Sequence, residues 1–187
     1  MKNLLLILSG PSGVGKGTVV KKLLEKDGIE LSISCTTRAP RRGEVDGKHY
    51  FFISKEKFES MIATGGFLEY DNHFENYYGT PREFVEEKLK TADVILEIDV
   101  EGGLQVKKSY PQAVLIMVAP PSRDELLKRL RGRGTESEDK ILSRVKRMDY
   151  ELSKEDVYDY VVVNDVLDKC VERIEDIIVK EKETRHD

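Results

Sequence analysis

The stretch Gly10-Pro11-Ser12-Gly13-Val14-Gly15-Lys16-Gly17-Thr18 decides the fold of this chain. An apolar run at positions 4–8 precedes it, and residues 19–26 mix apolar and charged side chains at helical spacing. A buried strand, a glycine-rich loop and an amphipathic helix in this order are typical of a phosphate-binding loop (P-loop), whose backbone N–H groups and helix N-terminus face an anion. Lys16 adds a positive charge directed at the β- and γ-phosphates of a nucleoside triphosphate. The stretch therefore predicts a triphosphate site, and its flanking elements disfavour the alternative of a ligand-free glycine turn.

The residue after Lys16 departs from the usual loop signature, which has Ser or Thr there. Gly17 occupies that position, and the hydroxyl comes one residue later, at Thr18. Thr18 is therefore the candidate Mg²⁺ ligand of the loop, and the sequence leaves open whether it would reach the ion directly or through water.

The composition of the 187-residue chain indicates a single compact domain. Its 31 basic and 35 acidic residues give a net charge of −4, which argues against a non-specific nucleic-acid binder. Cys35 and Cys170 match neither a metal spacing nor a disulfide framework and indicate a reducing compartment. No apolar run approaches the length of a membrane span, and the short run after Met1-Lys2 lacks the length and cleavage site of a signal peptide. We therefore expect a cytoplasmic protein with no nucleic-acid or membrane partner, and the sequence leaves a homo-oligomer open.

Apolar runs alternate with helical patterns along most of the chain. The pattern predicts further strands at residues 94–99, 113–118 and 160–164, and helices near residues 81–90, 101–108, 124–131 and 166–183. This alternation predicts the α/β class, with a parallel sheet flanked by helices on both faces. Ligands of such sheets bind at the carboxyl ends of the strands, where the P-loop lies. The core would comprise residues 1–33, 81–128 and 151–187 of one domain.

Residues 34–80 break the alternation and predict an inserted α+β lobe. Short strands are expected at residues 35–38, 49–53, 67–72 and 76–79. A helix is expected at residues 55–63, with Ser54 as its N-cap and with Phe58, Met61 and Ile62 facing inward.

Residues 129–150 form a second distinct segment, which is dense in charge. Gly132 and Gly134 are candidate hinges, so the segment predicts a mobile helical lid. An exposed, ion-paired helix is the alternative for such a composition.

The insert begins with a cluster of arginines that suits a phosphate group. Arg38 and Arg41 are three residues apart, with Pro40 stiffening the chain between them. One arginine guanidinium can donate two parallel hydrogen bonds to two oxygens of a phosphate. The hydroxyls of Tyr50 and Tyr78 could donate hydrogen bonds to the same phosphate. The alternative is solvated surface arginines and packed tyrosines. A triphosphate site and a second anion site together indicate transfer between two phosphates.

Six different motifs are spread along the chain, and the resemblance that they carry covers about residue 4 to about residue 180. The motifs are Thr36-Thr37-Arg38-x-x-Arg41-x-x-Glu44-x-x-Gly47-x-x-Tyr50-x-Phe52, Asn76-Tyr77-Tyr78-Gly79-Thr80, Ile98-Asp99-Val100-Glu101-Gly102, Ala119-Pro120-Pro121-Ser122, Arg131-Gly132-Arg133-Gly134-Thr135 and Val163-Asn164-Asp165. In this order they resemble the guanylate kinase family, and the long block is far more specific than the P-loop alone. The resemblance implies a P-loop nucleoside monophosphate kinase fold, with a GMP-binding lobe at residues 34–80 and a lid at residues 129–150. It also implies the reaction ATP + GMP = ADP + GDP in purine nucleotide metabolism, with ATP as phosphate donor and Mg²⁺ as cofactor.

The resemblance also implies the residues of the acceptor site. The GMP phosphate would be held by Arg38, Arg41, Tyr50 and Tyr78, and the base would be read by Ser34, Glu69 and Thr80. Guanine presents adjacent N1–H and N2–H₂ donors, and a carboxylate such as Glu69 accepts both. Adenine would leave that carboxylate unpaired at a cost of ~1–3 kcal/mol. An ordinary surface acid is the alternative for Glu69.

The residues of the donor site follow from the same resemblance. The lid arginines Arg129, Arg133 and Arg144 would reach the phosphates, with Arg131 and Arg147 as weaker candidates, and Asn164 would lie near adenine. We expect Lys16, Arg133, Arg144 and Asp99 to be catalytic.

Asp99 closes an apolar strand, where an acidic group could engage Mg²⁺ directly or through water. Its neighbours Glu97 and Glu101 leave its role open, and Asp99 could contact the nucleotide instead of the metal. An N-cap for the next helix is the structural alternative for Asp99.

Two other functions are open at this point. A related kinase could use another acceptor, which the combination of Ser34, Glu69, Tyr78 and Thr80 disfavours. A guanylate-kinase-like binding module of the kind found in scaffold proteins could recognise a peptide. The presence of Lys16 and the lid arginines favours the enzyme.

Overall fold

The computed structural model describes residues 2–73, 75–132 and 138–185. In chain order its elements are β1 (Leu5–Ser9), α1 (Lys16–Leu23), β2 (Ile29–Leu31), β3 (Cys35–Thr36), β4 (Phe51–Phe52), α2 (Lys55–Ala63), β5 (Phe67–His73), β6 (Asn76–Pro81), α3 (Arg82–Lys88), β7 (Asp93–Glu97), α4 (Val100–Ser109), β8 (Val114–Ala119), α5 (Arg123–Gly132), α6 (Glu138–Leu152), a 3₁₀ turn (Glu155–Val157), β9 (Tyr160–Val163) and α7 (Leu167–Thr184).

The core is a five-stranded parallel sheet with the strand order β2-β7-β1-β8-β9. The central strand β1 pairs Leu6 with Ile95 on one side and with Val114 on the other. Leu6 and Leu8 pack with α1, α5 and α7 on one face of the sheet, while Leu5 and Ile7 pack with α4 on the opposite face. Because both faces are covered, β1 is apolar at every core-facing position. The predicted α/β class and flanked parallel sheet are confirmed.

The insert carries its own four-stranded sheet, with the order β4-β3-β6-β5. Strands β3 and β4 are parallel, and β6 is antiparallel to both β3 and β5. Helix α2 begins where the sequence predicts, and the Ser54 hydroxyl accepts a hydrogen bond from the Lys57 N–H at 3.2 Å, so the predicted N-cap is confirmed.

A separate apolar cluster holds this lobe together. Phe58 of α2 is fully buried and stacks between Phe67 and Tyr77, with ring centroids 4.2 and 5.1 Å away. Met61 and Ile62 pack against the same cluster, as their helical spacing predicts. The lobe is therefore stabilised by its own small core, apart from the main sheet.

Two strands differ from the sequence-based expectations. The sequence pattern gave no sign of β2, which has only three residues at one edge of the sheet. Strand β9 lies at the other edge, and its Val161 and Val163 are 44% and 37% exposed, whereas Val162 is buried. An edge strand needs apolar side chains only on the face that packs against the core. Because all of residues 161–163 are valine, the sequence does not distinguish such a strand from one that is buried on both faces.

The predicted lid segment contains the end of α5 and most of α6. Val145 and Met148 of α6 are buried in the main core with Val14 and Leu126, so the second half of α6 is anchored to the sheet. Residues 133–137, which include the expected hinge Gly134, lie outside the described residues. None of the described helices has both the length and the apolar content needed to cross a membrane.

Truncating Phe58 to Ala should destabilise the protein by about 3–5 kcal/mol, because it leaves a cavity between two stacked rings. Urea unfolding measures this change. The control is Val179→Ala, at a position 55% exposed on α7, which should change the free energy of unfolding by about 0.5 kcal/mol or less. A Phe58→Ala effect as small as the control's would contradict the separate lobe core.

Candidate active site

The P-loop connects β1 to α1 and is pressed closely against the neighbouring strands. Gly10 has φ +141°, and a Cβ built on it would lie 2.2 Å from the carbonyl oxygen of Val118 in β8. Gly15 is the N-cap of α1 with φ +100°, and a Cβ there would lie 2.7 Å from Nδ2 of Asn164. Only glycine fits these two positions, so the loop path depends on them.

Lys16 lies in the first turn of α1 and folds back over the loop. Its Nζ donates hydrogen bonds to the carbonyl oxygens of Gly10 at 2.5 Å and Pro11 at 3.4 Å. Burial lowers the pKa of Lys16, and the carboxylates of Glu151, Glu97 and Asp99 act in the opposite direction. The ammonium group is thus held at the mouth of the loop among acidic groups.

The lid helix α6 contributes one predicted arginine to this region. Arg144 Nη1 lies 3.1 Å from the Ser12 hydroxyl oxygen, which places the guanidinium directly at the P-loop. The other predicted catalytic arginine of the lid, Arg133, lies outside the described residues.

A cavity of about 270 Å³ lies between the lobe and the carboxyl end of β7. It is lined by Ser34, Tyr50, Glu69, Asp71, Tyr78, Gly79, Glu97, Ile98, Asp99 and Arg147. This acceptor cavity contains four of the residues predicted for GMP. The structure thus brings together side chains that lie up to 44 positions apart, from Ser34 to Tyr78.

Arg38 is fixed at the edge of the lobe by Glu44. Its two terminal nitrogens donate to the two oxygens of the Glu44 carboxylate, each at 2.9 Å, and its Nε donates to the Tyr78 hydroxyl at 3.2 Å. The hydrogen bonds from Arg38 and from the Arg41 backbone N–H lower the pKa of Glu44 to about 2. The sequence interpretation gave Glu44 no role, although it lies in the same arginine-rich block. The side chain of Arg41 is exposed.

Glu69 and Thr80 form a buried pair across the β5–β6 ladder. The Thr80 hydroxyl donates to Glu69 Oε1 at 2.5 Å, and Glu69 is 8% exposed. Burial raises the pKa of Glu69 to about 7, while the hydrogen bond from Thr80 partly offsets it. A Cβ on Gly102 would lie 3.2 Å from Glu69 Oε2, so the second oxygen faces the first turn of α4. Glu69 is therefore no ordinary surface acid.

Both oxygens of Asp99 are engaged. Oδ1 accepts from the Gly102 N–H at 2.8 Å and caps α4, which is the alternative role that the sequence left open. Oδ2 accepts from Arg147 Nη2, also at 2.8 Å. The role of Asp99 at a metal or a nucleotide stays a prediction.

The sequence left Glu97 open only as a neighbouring carboxylate of Asp99, and gave it no role of its own. Glu97 lines the acceptor cavity and also a cavity of about 360 Å³ over the P-loop, which Lys16 and Thr18 line as well. A Cβ on Gly17 would lie 3.5 Å from Glu97 Oε1, so the carboxylate faces the start of α1. Glu97 therefore forms a wall shared by the two cavities, and its place at the end of β7 was the available signal.

Comparison with known proteins gives a consistent result. The guanylate kinase family model matches residues 2–181. The chain belongs to the guanylate kinase family.

Individual relatives agree over nearly the whole chain. The guanylate kinase of Caldanaerobacter subterraneus subsp. tengcongensis is 51% identical over 97% of this chain and 89% of its own length. That of Oceanobacillus iheyensis is 53% identical over 96% and 88%. The crystal structure of guanylate kinase from Anaplasma phagocytophilum covers 96% of this chain and 86% of its own, with a TM-score of 0.74 and 34% identity.

Two donor-site residues expected from the guanylate kinase family support the P-loop from behind. Asn164 is 7% exposed, and its Nδ2 donates to the Val14 carbonyl oxygen at 2.8 Å. Arg129 donates to the backbone oxygen of Asn164 at 3.4 Å and pairs with Glu125 at 3.3 Å. The adenine and phosphate contacts of these residues stay predictions.

The raised pKa of Glu69 predicts a pH-dependent use of a guanine acceptor. In its predicted role the ionised carboxylate would accept the base N–H groups, so kcat/KM for GMP should rise as pH increases through about 7 and fall about tenfold per unit well below it. Steady-state assays between pH 5.5 and 8.5 measure this. Glu69→Gln is the control: it keeps the phosphate ionisation of GMP but should lose this slope, and equal slopes in both proteins would contradict the assignment.

Proposed function

We propose that this chain transfers the γ-phosphoryl group of ATP to GMP, producing ADP and GDP. The observation that carries the proposal is the shared wall at Glu97, which places the P-loop cavity next to the acceptor cavity. Family membership supports the same reaction. A phosphate donor bound at Lys16 and an acceptor bound beside Glu69 would therefore meet over the end of β7.

The base of the acceptor is selected by Glu69. Its carboxylate lies in the acceptor cavity and can accept from N1–H and N2–H₂ of guanine together. Thr80 fixes one oxygen of that carboxylate, and Ser34 lines the same cavity with a hydroxyl that can donate to O6. Adenine has no hydrogen at N1 and would leave a buried carboxylate unpaired.

The acceptor phosphate is held by Arg38, Arg41, Tyr50 and Tyr78. In the structure Arg38 already contacts the Tyr78 hydroxyl and lies 5.5 Å from the ring of Tyr50, so three of these groups converge. The Arg38–Glu44 pair keeps the guanidinium in place without a ligand. A bound phosphate dianion would then either replace Glu44 as the partner of the Arg38 guanidinium or share the guanidinium with Glu44.

Transfer requires alignment and charge neutralisation, with no covalent enzyme intermediate. Lys16 and the P-loop N–H groups hold the donor phosphates, and Arg144 lies at the loop where the γ-phosphate would be. Arg133 would add a further charge from the lid. We infer that the lobe at residues 34–80 and the lid at residues 129–150 close together over the nucleotides and exclude water.

Mg²⁺ fits the donor set between the two sites. When bound with ATP, the ion neutralises phosphate charge and orients the β- and γ-phosphates. Thr18 and Glu97 line the same cavity, and within the described residues the Glu97 carboxylate makes no hydrogen bond or ion pair. Asp99, in contrast, has both oxygens engaged. We therefore infer that Thr18 and Glu97 would hold the ion directly or through water, with Asp99 as the alternative carboxylate.

Both nucleotides are ordinary metabolites of the cytoplasm, which we propose as the location of this protein. Cys35 and Cys170 are buried free thiols, consistent with a reducing compartment.

An acceptor panel tests the proposed reaction. ADP formation from ATP is measured with GMP, AMP, UMP and CMP, and GMP should exceed each of the others by about tenfold or more in kcat/KM. Lys16→Ala should lower turnover by about 100-fold or more, because it removes a charge from the transferring group. Lys21→Ala, at an exposed position further along α1, is the matched control and should behave as wild type.

AMP or UMP used as well as GMP would contradict the acceptor assignment. Absence of turnover with every acceptor, or undiminished function in Lys16→Ala, would favour the peptide-binding alternative.

The metal assignment is tested by calorimetry of ATP binding with and without Mg²⁺. Mg²⁺ should strengthen ATP binding to the wild type, and Glu97→Gln should lose most of that gain. Asp99→Asn should retain more of it, because Asn still caps α4. The reverse order of the two variants would identify Asp99 as the metal-binding carboxylate.

A further inference from the structure

The acceptor cavity has a charge imbalance that its proposed ligand would make worse. Four carboxylates line it, those of Glu69, Asp71, Glu97 and Asp99, and the one guanidinium among its lining residues is that of Arg147. GMP would bring a phosphate dianion into this acidic space. The phosphate and the carboxylates would repel each other strongly where water is partly excluded. A cation fixed in the wall of the acceptor cavity would therefore contribute much to the binding of GMP.

Arg147 is held in place by two carboxylates. Its Nη2 donates to Asp99 Oδ2 at 2.8 Å, and its Nε donates to Glu151 Oε1 at 2.9 Å. Glu151 is 6% exposed, and the neighbouring Met148 is 2% exposed in the main core. The guanidinium is therefore oriented before any ligand arrives, although half of its side-chain surface, 52%, is exposed.

Arg147 lines the acceptor cavity, which shares the wall at Glu97 with the P-loop cavity. Its charge contributes to the lowered pKa of Lys16, so its field reaches the P-loop. The contacts to Asp99 and Glu151 use Nη2 and Nε, which leaves Nη1 as a donor for a further oxygen. Helix α6 approaches the cavity from the core, whereas Arg38 belongs to the lobe.

We propose that Arg147 is an additional binding residue for the acceptor phosphate, contacting GMP through Nη1 from the side opposite Arg38. This inference rests on the proposed function. Asp99 and Glu151 act as the supports of the guanidinium, and the anchored half of α6 sets its distance from the sheet. Since Asp99 caps α4 and Glu151 belongs to α6, neither support is part of the lobe, so Arg147 meets the phosphate without waiting for the lobe to close.

The test compares GMP with guanosine, which shares the base and ribose but carries no phosphate. Binding of both to the full chain is measured by calorimetry or NMR titration, together with KM for GMP and for ATP. In Arg147→Gln, GMP binding should weaken by about tenfold to a hundredfold, while guanosine binding and KM for ATP stay within about twofold of wild type. Arg147→Lys keeps the charge but cannot hold both carboxylates, so its loss should be intermediate.

Arg123→Gln is the matched control. Arg123 makes a two-pronged ion pair with Asp149 of α6 at 3.1 Å, but it is absent from the lining of the acceptor cavity. The Arg123→Gln variant should leave the binding of GMP and of guanosine unchanged. It therefore shows whether the loss of an ion pair on α6 is enough to weaken GMP binding, without loss of the proposed phosphate contact.

Several results would overturn the inference. Equal losses for GMP and guanosine in Arg147→Gln would show a structural role only, and an unchanged GMP affinity would show no role. Should Arg147→Gln fail to fold, Arg147→Lys decides: wild-type GMP binding overturns the inference, and a selective loss for GMP supports it. A wild-type protein that does not use GMP refutes the proposed function, whereas an active wild type with an unaffected Arg147→Gln refutes this inference alone.

Discussion

The close approach of the P-loop to the strands behind it determines the geometry of the whole site. At Gly10 the loop backbone lies so near β8 that a Cβ would come within 2.2 Å of the Val118 carbonyl oxygen. At Gly15 it lies against Asn164, whose amide donates to the Val14 carbonyl oxygen. Glycine removes the steric barrier to this path, and the buried hydrogen bond stabilises it. The direction of α1, and with it the position of Lys16, follows from where the loop is held.

The second organising feature is the arrangement of charge around the end of β7. Lys16, Glu97, Asp99, Arg147 and Glu151 lie close enough for their charges to influence one another. Burial raises the pKa of Glu97 and of Glu151, and the charges of the two cations act in the opposite direction. The carboxylates of Asp99 and Glu151 in turn orient Arg147. Such a network is already charged and ordered without a ligand. Binding of phosphates, as we propose, would exchange partners within this network, which costs less than bringing unpaired charges out of water.

Sequence reasoning was most successful where the signal is local. The Ser54 N-cap, the inward face of α2 and the buried strand before the P-loop each depend on a few consecutive residues, and the structure confirms them. It was weaker where tertiary neighbours decide. Three residues of β2 form a strand only because β7 offers an edge. Glu97 and Asp99 are two positions apart and chemically alike, so nothing in their spacing distinguishes a wall of two cavities from a helix cap.

The lobe and the main sheet have separate hydrophobic clusters, and the two proposed nucleotide sites are divided between them. The stacked rings of Phe58, Phe67 and Tyr77 make the lobe a body of its own, whereas the P-loop belongs to the main sheet. Glu69 is the point of contact, because its strand belongs to the lobe while one of its oxygens faces α4 of the core. Rotation of the lobe would therefore change the surroundings of the carboxylate that we propose reads the base. A ligand that satisfies Glu69 would stabilise the lobe against the core, so on this proposal base recognition and closure would be two results of the same contact.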